Sequence, residues 1–156
     1  MRRAPAKAPR IDVHFAARKP WVPSAARLRL WASLAMAGRG PDQAAVSVRV
    51  VGADTSRALN DHYRGKDAPT NVLSFAGAGR SPSGVDFLGE IVICARVLAK
   101  EARQQRKSLP AHWAHITIHG VLHLLGFDHI QPAKARKMER LEAQILESMG
   151  FSDPYH

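Results

Sequence analysis

The sequence predicts an α+β fold: a small mixed sheet of about four strands covered by helices, with a buried metal-binding helix at its centre. Three observations carry this reading. Short apolar or alternating runs at 11–15, 45–51, 71–75 and 87–93 have the length and pattern of strands. Segments with helical spacing of apolar residues fall between and after them. One late segment, 110–125, is apolar nearly all round yet holds histidines four residues apart, as a buried helix bordering a polar cleft would.

At 156 residues with 46% hydrophobic content, the chain has the size and core of one domain, without internal repeat or linker. Residues 11–156 form that domain, and 1–10 read as a disordered basic arm. The arm holds four basic residues and two prolines, and no apolar segment follows to make it a secretory signal.

In chain order, 11–15 is the first strand. Ser24 is placed to cap a helix in which Leu28, Trp31, Leu34 and Ala35 recur until Gly38. A turn at Gly40-Pro41-Asp42 leads to the strand 45–51, where Val46, Val48 and Val50 alternate with Ser47 and Arg49. Asp54 or Thr55 caps a short helix through Asn60. Residues 63–70 form a charged loop before the strand 71–75, with Lys66 and Asp67 read as an exposed ion pair or turn contact.

The Gly, Ser and Pro of 76–85 predict a mobile loop beside the site, without the ending of a phosphate-binding loop. After the strand 87–93, a helix over 95–106 turns Val97, Leu98 and Ala102 inward. Its outer face carries Arg96, Lys100, Arg103, Arg106 and, just beyond, Lys107. Pro110 opens the central helix. Pro132 starts the last helix, with Met138, Leu141, Ile145 and Met149 inward and Gly150 ending it, and 151–156 is a tail.

The chemistry concentrates in His119-Gly120-Val121-Leu122-His123-Leu124-Leu125-Gly126-Phe127-Asp128-His129. A helix advances about 100° per residue, so His119 and His123 differ by roughly 40° and share a face. Gly126 can adopt the left-handed conformation that ends a helix, and His129 then returns toward the pair. Three neutral imidazoles suit one Zn2+ per chain and leave a fourth position open for reaction, although nickel, copper or iron also accept such ligands. Asp128 is either a carboxylate that orients a ligand histidine or a turn residue. His115 is read as lining the cleft or supporting the ligands, and His112 as an ordinary polar position. The spacing equals that of the zinc endopeptidases, but Gly120 stands where their catalytic glutamate belongs.

The 23 basic and 13 acidic residues give a net charge of +10, which favours a polyanionic partner, RNA first. The single cysteine, Cys94, excludes an internal disulfide, suits a reducing compartment and reads as a buried structural thiol. Residues 108–127 lack Asp, Glu, Lys and Arg, but their four histidines argue against a membrane span. Arg64 is the phosphate-binding candidate of the charged loop, because guanidinium matches phosphate oxygens bidentately.

The His119–His129 stretch resembles the signature HGxLHLxGyDH of the YbeY family of bacterial endoribonucleases, with Phe127 where tyrosine is usual. A second block, residues 59–75, resembles LNxxYRxKDxPTDVLSF with Asn71 for the commoner aspartate; a third, 88–93, has Glu90 where aspartate is commoner. The resemblance spans roughly residues 11–155.

It implies a cytoplasmic, metal-dependent endoribonuclease acting on single-stranded RNA. The expected roles are ribosomal RNA maturation near the 3′ end of the small-subunit RNA and ribosome quality control, with ribosome or ribosome-assembly proteins as partners. Arg64 corresponds to the arginine implicated in activity. The general base stays open among Asp128, Glu90 and metal-activated water. Two other readings stand beside this one: a non-catalytic ribosome or RNA-binding module with a structural zinc, and a zinc metalloprotease, which Gly120 opposes.

Overall fold

The computed structural model describes residues 8–155, so the proposed arm lies outside the described residues up to position 7, and its last residue, Arg10, already begins a strand. The chain order is β1 (Arg10–Phe15), α1 (Ala25–Met36), β2 (Ala44–Val51), α2 (Ala53–Arg64), β3 (Val72–Arg80), β4 (Asp86–Cys94), α3 (Ala95–Gln104), α4 (Leu109–Leu124) and α5 (Pro132–Ser148). The strands form one mixed sheet in the order β1-β2-β4-β3. β1 and β4 flank β2 in parallel, and β3 closes onto β4 as an antiparallel hairpin arm, which makes β3 an edge strand.

The alternation in β2 divides the protein into two layers. Val46, Val48 and Val50 join Ile91 and Ile93 of β4 in the main core with Leu28 and Trp31 of α1 and Trp113, Ile118, Val121 and Leu122 of α4. On the other face, Val51, Leu73 and Val92 pack with Leu59 of α2. α4 thus lies between the sheet and α5, and its burial follows from its near-continuous apolar surface. Ser24 caps α1 as expected, accepting from the Arg27 N–H at 3.3 Å, and Cys94 is buried.

Four expectations need correction. The second helix, read as capped by Asp54 or Thr55, begins at Ala53 behind Gly52, with no side-chain cap. α2 runs a full turn past Asn60 to Arg64, because the Asn60 amide donates to the Ala68 carbonyl at 2.8 Å and Ser56 bonds both backbone groups of Thr70, so the loop after the helix is tied back to it. The predicted loop 76–85 is mostly strand. β3 continues to Arg80 with a register shift between Ala76 and Gly79, and only 81–85 turns. Gly77 makes this possible: a Cβ there would sit 2.4 Å from the Phe87 carbonyl oxygen. Asp67 does form an exposed ion pair, bidentate with Arg57 at 2.6 and 2.9 Å, and Lys66 makes a turn contact, its carbonyl accepting from the Ala68 N–H at 2.9 Å. The residues after α5 are packed, with Phe151 against the core and the Tyr155 hydroxyl donating to Glu142. Among the described residues, no helix is long and apolar enough to cross a membrane.

Candidate active site

α4 is started by Ser108, whose hydroxyl accepts from the Ala111 N–H at 3.3 Å, and by Pro110 in the first turn. It ends where Gly126 takes φ +96° and the Phe127 N–H reaches back to the Leu122 carbonyl at 3.0 Å. Asp128 then folds the next turn, its Oδ1 accepting from the Ile130 N–H at 2.7 Å, and His129 is carried back over the helix end. Of the two readings of Asp128, the turn residue is the one its contacts describe.

These local devices bring three imidazoles together. His123 Nε2 lies 3.1 Å from His119 Nε2 and 2.9 Å from His129 Nδ1. Metal–nitrogen bonds of about 2.0–2.1 Å in a tetrahedron would separate ligand nitrogens by about 3.3 Å, so the donor set fits one cation with small adjustments. Burial, then the neighbouring His119 and His129, push the His123 pKa down to about 4, which keeps it neutral and able to coordinate.

Behind the triad stands a carboxylate that the sequence reading missed. Glu142 of α5 is fully buried; its Oε1 accepts from His119 Nδ1 at 2.6 Å and its Oε2 from His115 Nε2 at 3.0 Å and from the Tyr155 hydroxyl. Burial alone would raise its pKa, but the hydrogen bonds from His115 and His119, with that from Tyr155, bring it down to about 2. Donation through Nδ1 leaves His119 Nε2 with its lone pair toward the other two histidines. A signal for Glu142 existed: it falls four residues after Met138 and three before Ile145, inside the buried stripe of α5 where an unpaired charge would be costly.

His115 belongs to this supporting network. His112, expected to be an ordinary polar position, is instead buried and bonded through Nε2 to Glu101 Oε1 at 2.9 Å. Glu101 also accepts from the Asn71 amide at 3.3 Å, which links α3 to the start of β3.

In front of the triad is an open cleft of about 560 Å³ running along the edge strand β3, lined by Tyr63, Arg64, Asn71, Ser74, Phe75, His119, His123 and His129 among others. Arg64, the last residue of α2, borders it with an exposed side chain. Arg49 and Arg57 are held by Glu90 and Asp67, whereas among the described residues no carboxylate pairs with Arg64. Glu90 is not in the cleft. Ile91 faces Gly120 of α4, so its neighbour Glu90 points to the opposite side of β4, where Ser47 donates to it at 3.2 Å and Arg49 at 3.0 Å.

Gly120 faces the sheet. A Cβ there would lie 3.1 Å from Ile91 Cγ2 and 3.2 Å from Val72 Cγ2, so a glutamate at this position would be driven between α4 and the strands. The protease reading thus lacks both the general base and room for one.

Comparison with known proteins agrees with this construction. The chain resembles TM1509 from Thermotoga maritima, solved in solution, with a TM-score of 0.54 and 21% identity over 90% of this chain and 91% of that one, which is a likeness of fold. Residues 25–150, from the first residue of α1 to just past α5, match the family described as Endoribonuclease YbeY. With the signature histidines meeting at the end of α4 and this match covering most of its length, the chain belongs to the YbeY endoribonuclease family.

Proposed function

We propose that this protein is a zinc-dependent endoribonuclease that hydrolyses single-stranded RNA in the cleft along β3 and acts in ribosomal RNA maturation, near the 3′ end of the small-subunit RNA, and in ribosome quality control. Family membership supports RNA as the substrate and ribosomal RNA processing as the setting. The observation that carries the chemistry is the sharing of one cleft by an uncommitted guanidinium and three convergent imidazoles. His119, His123 and His129 would hold the metal, which supplies Lewis acidity toward a phosphate oxygen and toward water.

The remaining work falls to the chain. Arg64 holds the scissile phosphate and offsets the charge that develops on it. Glu142 fixes the tautomer and orientation of His119, and His115 and Tyr155 hold Glu142 in place. The edge strand leaves the cleft open on one side, so an extended strand can pass through. The net charge of +10 attracts the polyanion, and the arrangement suits the cytoplasm, where the lone buried thiol stays reduced. Ribosome or ribosome-assembly proteins are the expected partners.

Cleavage of an end-labelled single-stranded RNA, run beside His123→Ala prepared identically, tests the assignment. Activity that disappears in the variant and with chelator supports it. Equal activity in both preparations assigns the cleavage to a contaminant or another site and overturns it. Metal-loaded protein that binds RNA without cutting it would favour the binding module.

A further inference from the structure

The cleft carries aromatic rings for which phosphate chemistry has no use. Tyr63 directly precedes Arg64 and is 60% exposed, among the most open of the large hydrophobic side chains. Its ring sits 4.9 Å from that of Phe75, centroid to centroid, at 61°, and 4.6 Å from that of His62 at 89°. Edge-to-face contacts of this kind fix the orientation of a ring while leaving surface uncovered. Phe75, part-buried on β3, is itself anchored beside Leu73 and Val92. Tyr63 and Phe75 line the same cavity as Arg64 and the histidine triad. The histidine triad stands on the α4 side of β3, and Arg64 and the braced aromatic pair reach the same cleft around the edge strand from the α2 side.

We propose that Tyr63, braced by Phe75, is a stacking ledge for an unpaired nucleobase of the strand whose phosphate Arg64 holds; this rests on the endoribonuclease reading of the cleft. Every base has a π-face, so such a ledge is tolerant of sequence. It is selective for strandedness. A base in a duplex already has its faces covered by its neighbours and must leave the stack to reach Tyr63, whereas a base in a single strand is free to do so. The ledge gives the preference for single strands a physical origin and places its cost in substrate binding rather than in the chemical step.

The test uses the full-length metal-loaded protein, a single-stranded RNA, and a series of the same RNA in which one base at a time is replaced by an abasic sugar. Tyr63→Ala and Tyr63→Leu should raise KM about tenfold with kcat nearly unchanged, while Tyr63→Phe and Tyr63→Trp keep the original KM. One abasic position should weaken the original protein by a similar factor, and at that position Tyr63→Leu should add no further loss. Unchanged KM in Tyr63→Leu, an equal loss in Tyr63→Phe, or losses that add at every position would overturn the ledge. Binding is also read without cleavage, by quenching of a 2-aminopurine base placed at the sensitive position or, if none stands out, at each position in turn. Quenching kept in Tyr63→Trp and lost in Tyr63→Leu supports stacking, and no difference between them refutes it. Absence of His123-dependent cleavage would defeat the catalytic reading alone, because the quench still decides the ledge.

Discussion

Four histidines lie along α4, and the two halves of the helix treat them in opposite ways. His112 and His115 are 2% and 9% exposed, and each is bonded to a carboxylate, Glu101 and Glu142 respectively. His119 and His123 are only part-buried and turn toward the cleft, where His129 joins them. The residue type is the same; what differs is the partner. A carboxylate at Nε2 of a buried imidazole ties the ring into the structure, whereas a carboxylate at Nδ1 behind His119 leaves Nε2 free to face outward. Glu142 touches both classes, so the supporting layer and the candidate metal centre share one anion.

The contrast is broken most severely at its outer half. His123→Ala should reduce metal content from about one ion per chain to near none and abolish RNA cleavage, as read by elemental analysis and an end-label assay. Arg64→Ala should leave metal content and melting temperature unchanged while lowering kcat by about a hundredfold, the usual effect of losing one donor to developing charge; unaltered turnover would remove Arg64 from the mechanism. Glu142→Gln sits between the halves. It should weaken metal affinity by roughly 10- to 100-fold in a chelator competition, and it should destabilise the fold by about 1–3 kcal/mol because buried donors lose their anion.

Two smaller effects sharpen the comparison. Gly120→Ala presses a methyl group onto Ile91 and Val72, which offsets the roughly 1 kcal/mol that alanine gains over glycine inside a helix, so denaturant unfolding should show a net change within about 1 kcal/mol, with the histidine triad still able to bind metal. Glu101 reports on the inner half alone. Its burial would raise its pKa, but hydrogen bonds from His112 and Asn71 set it below the ordinary 4.5. A carboxylate with a depressed folded pKa contributes stability that is complete above 4.5 and lost as pH falls through the lower folded value. The melting-temperature gap between the original protein and Glu101→Gln should therefore be largest near neutrality and shrink on acidification below 4.5; a gap that grows with acid would reverse this assignment.

Much of this was legible in local patterns. The alternation of Val46, Val48 and Val50, the cap at Ser24, Pro110 at the start of α4 and Gly126 at its end each act within a few residues, and helical spacing alone puts His119 and His123 on one face. Composition misled where tertiary pairing overrode it. Gly77, in a stretch that reads as a loop, serves the close antiparallel packing of β3 on β4, and Tyr63 and Arg64, at the head of the charged segment, extend α2, where Ser56 and Asn60 tie Thr70 and Ala68 back to the helix.

The sequence by itself determined the helix that carries the histidines, the spacing that lets three imidazoles converge, and the family, because each depends on residues close along the chain. The tertiary structure decided which carboxylate serves them. Asp128 was near in sequence and Glu90 stood in a recognisable block, yet the first makes its own turn and the second faces the wrong side of the sheet. Glu142 and Tyr155 reach the site from α5 and the residues beyond it, and Arg64 and Tyr63 reach it from α2 across the edge strand. Such pairings depend on how helices pack on a sheet. Packing brings together residues whose separation along the chain carries no trace of their contact.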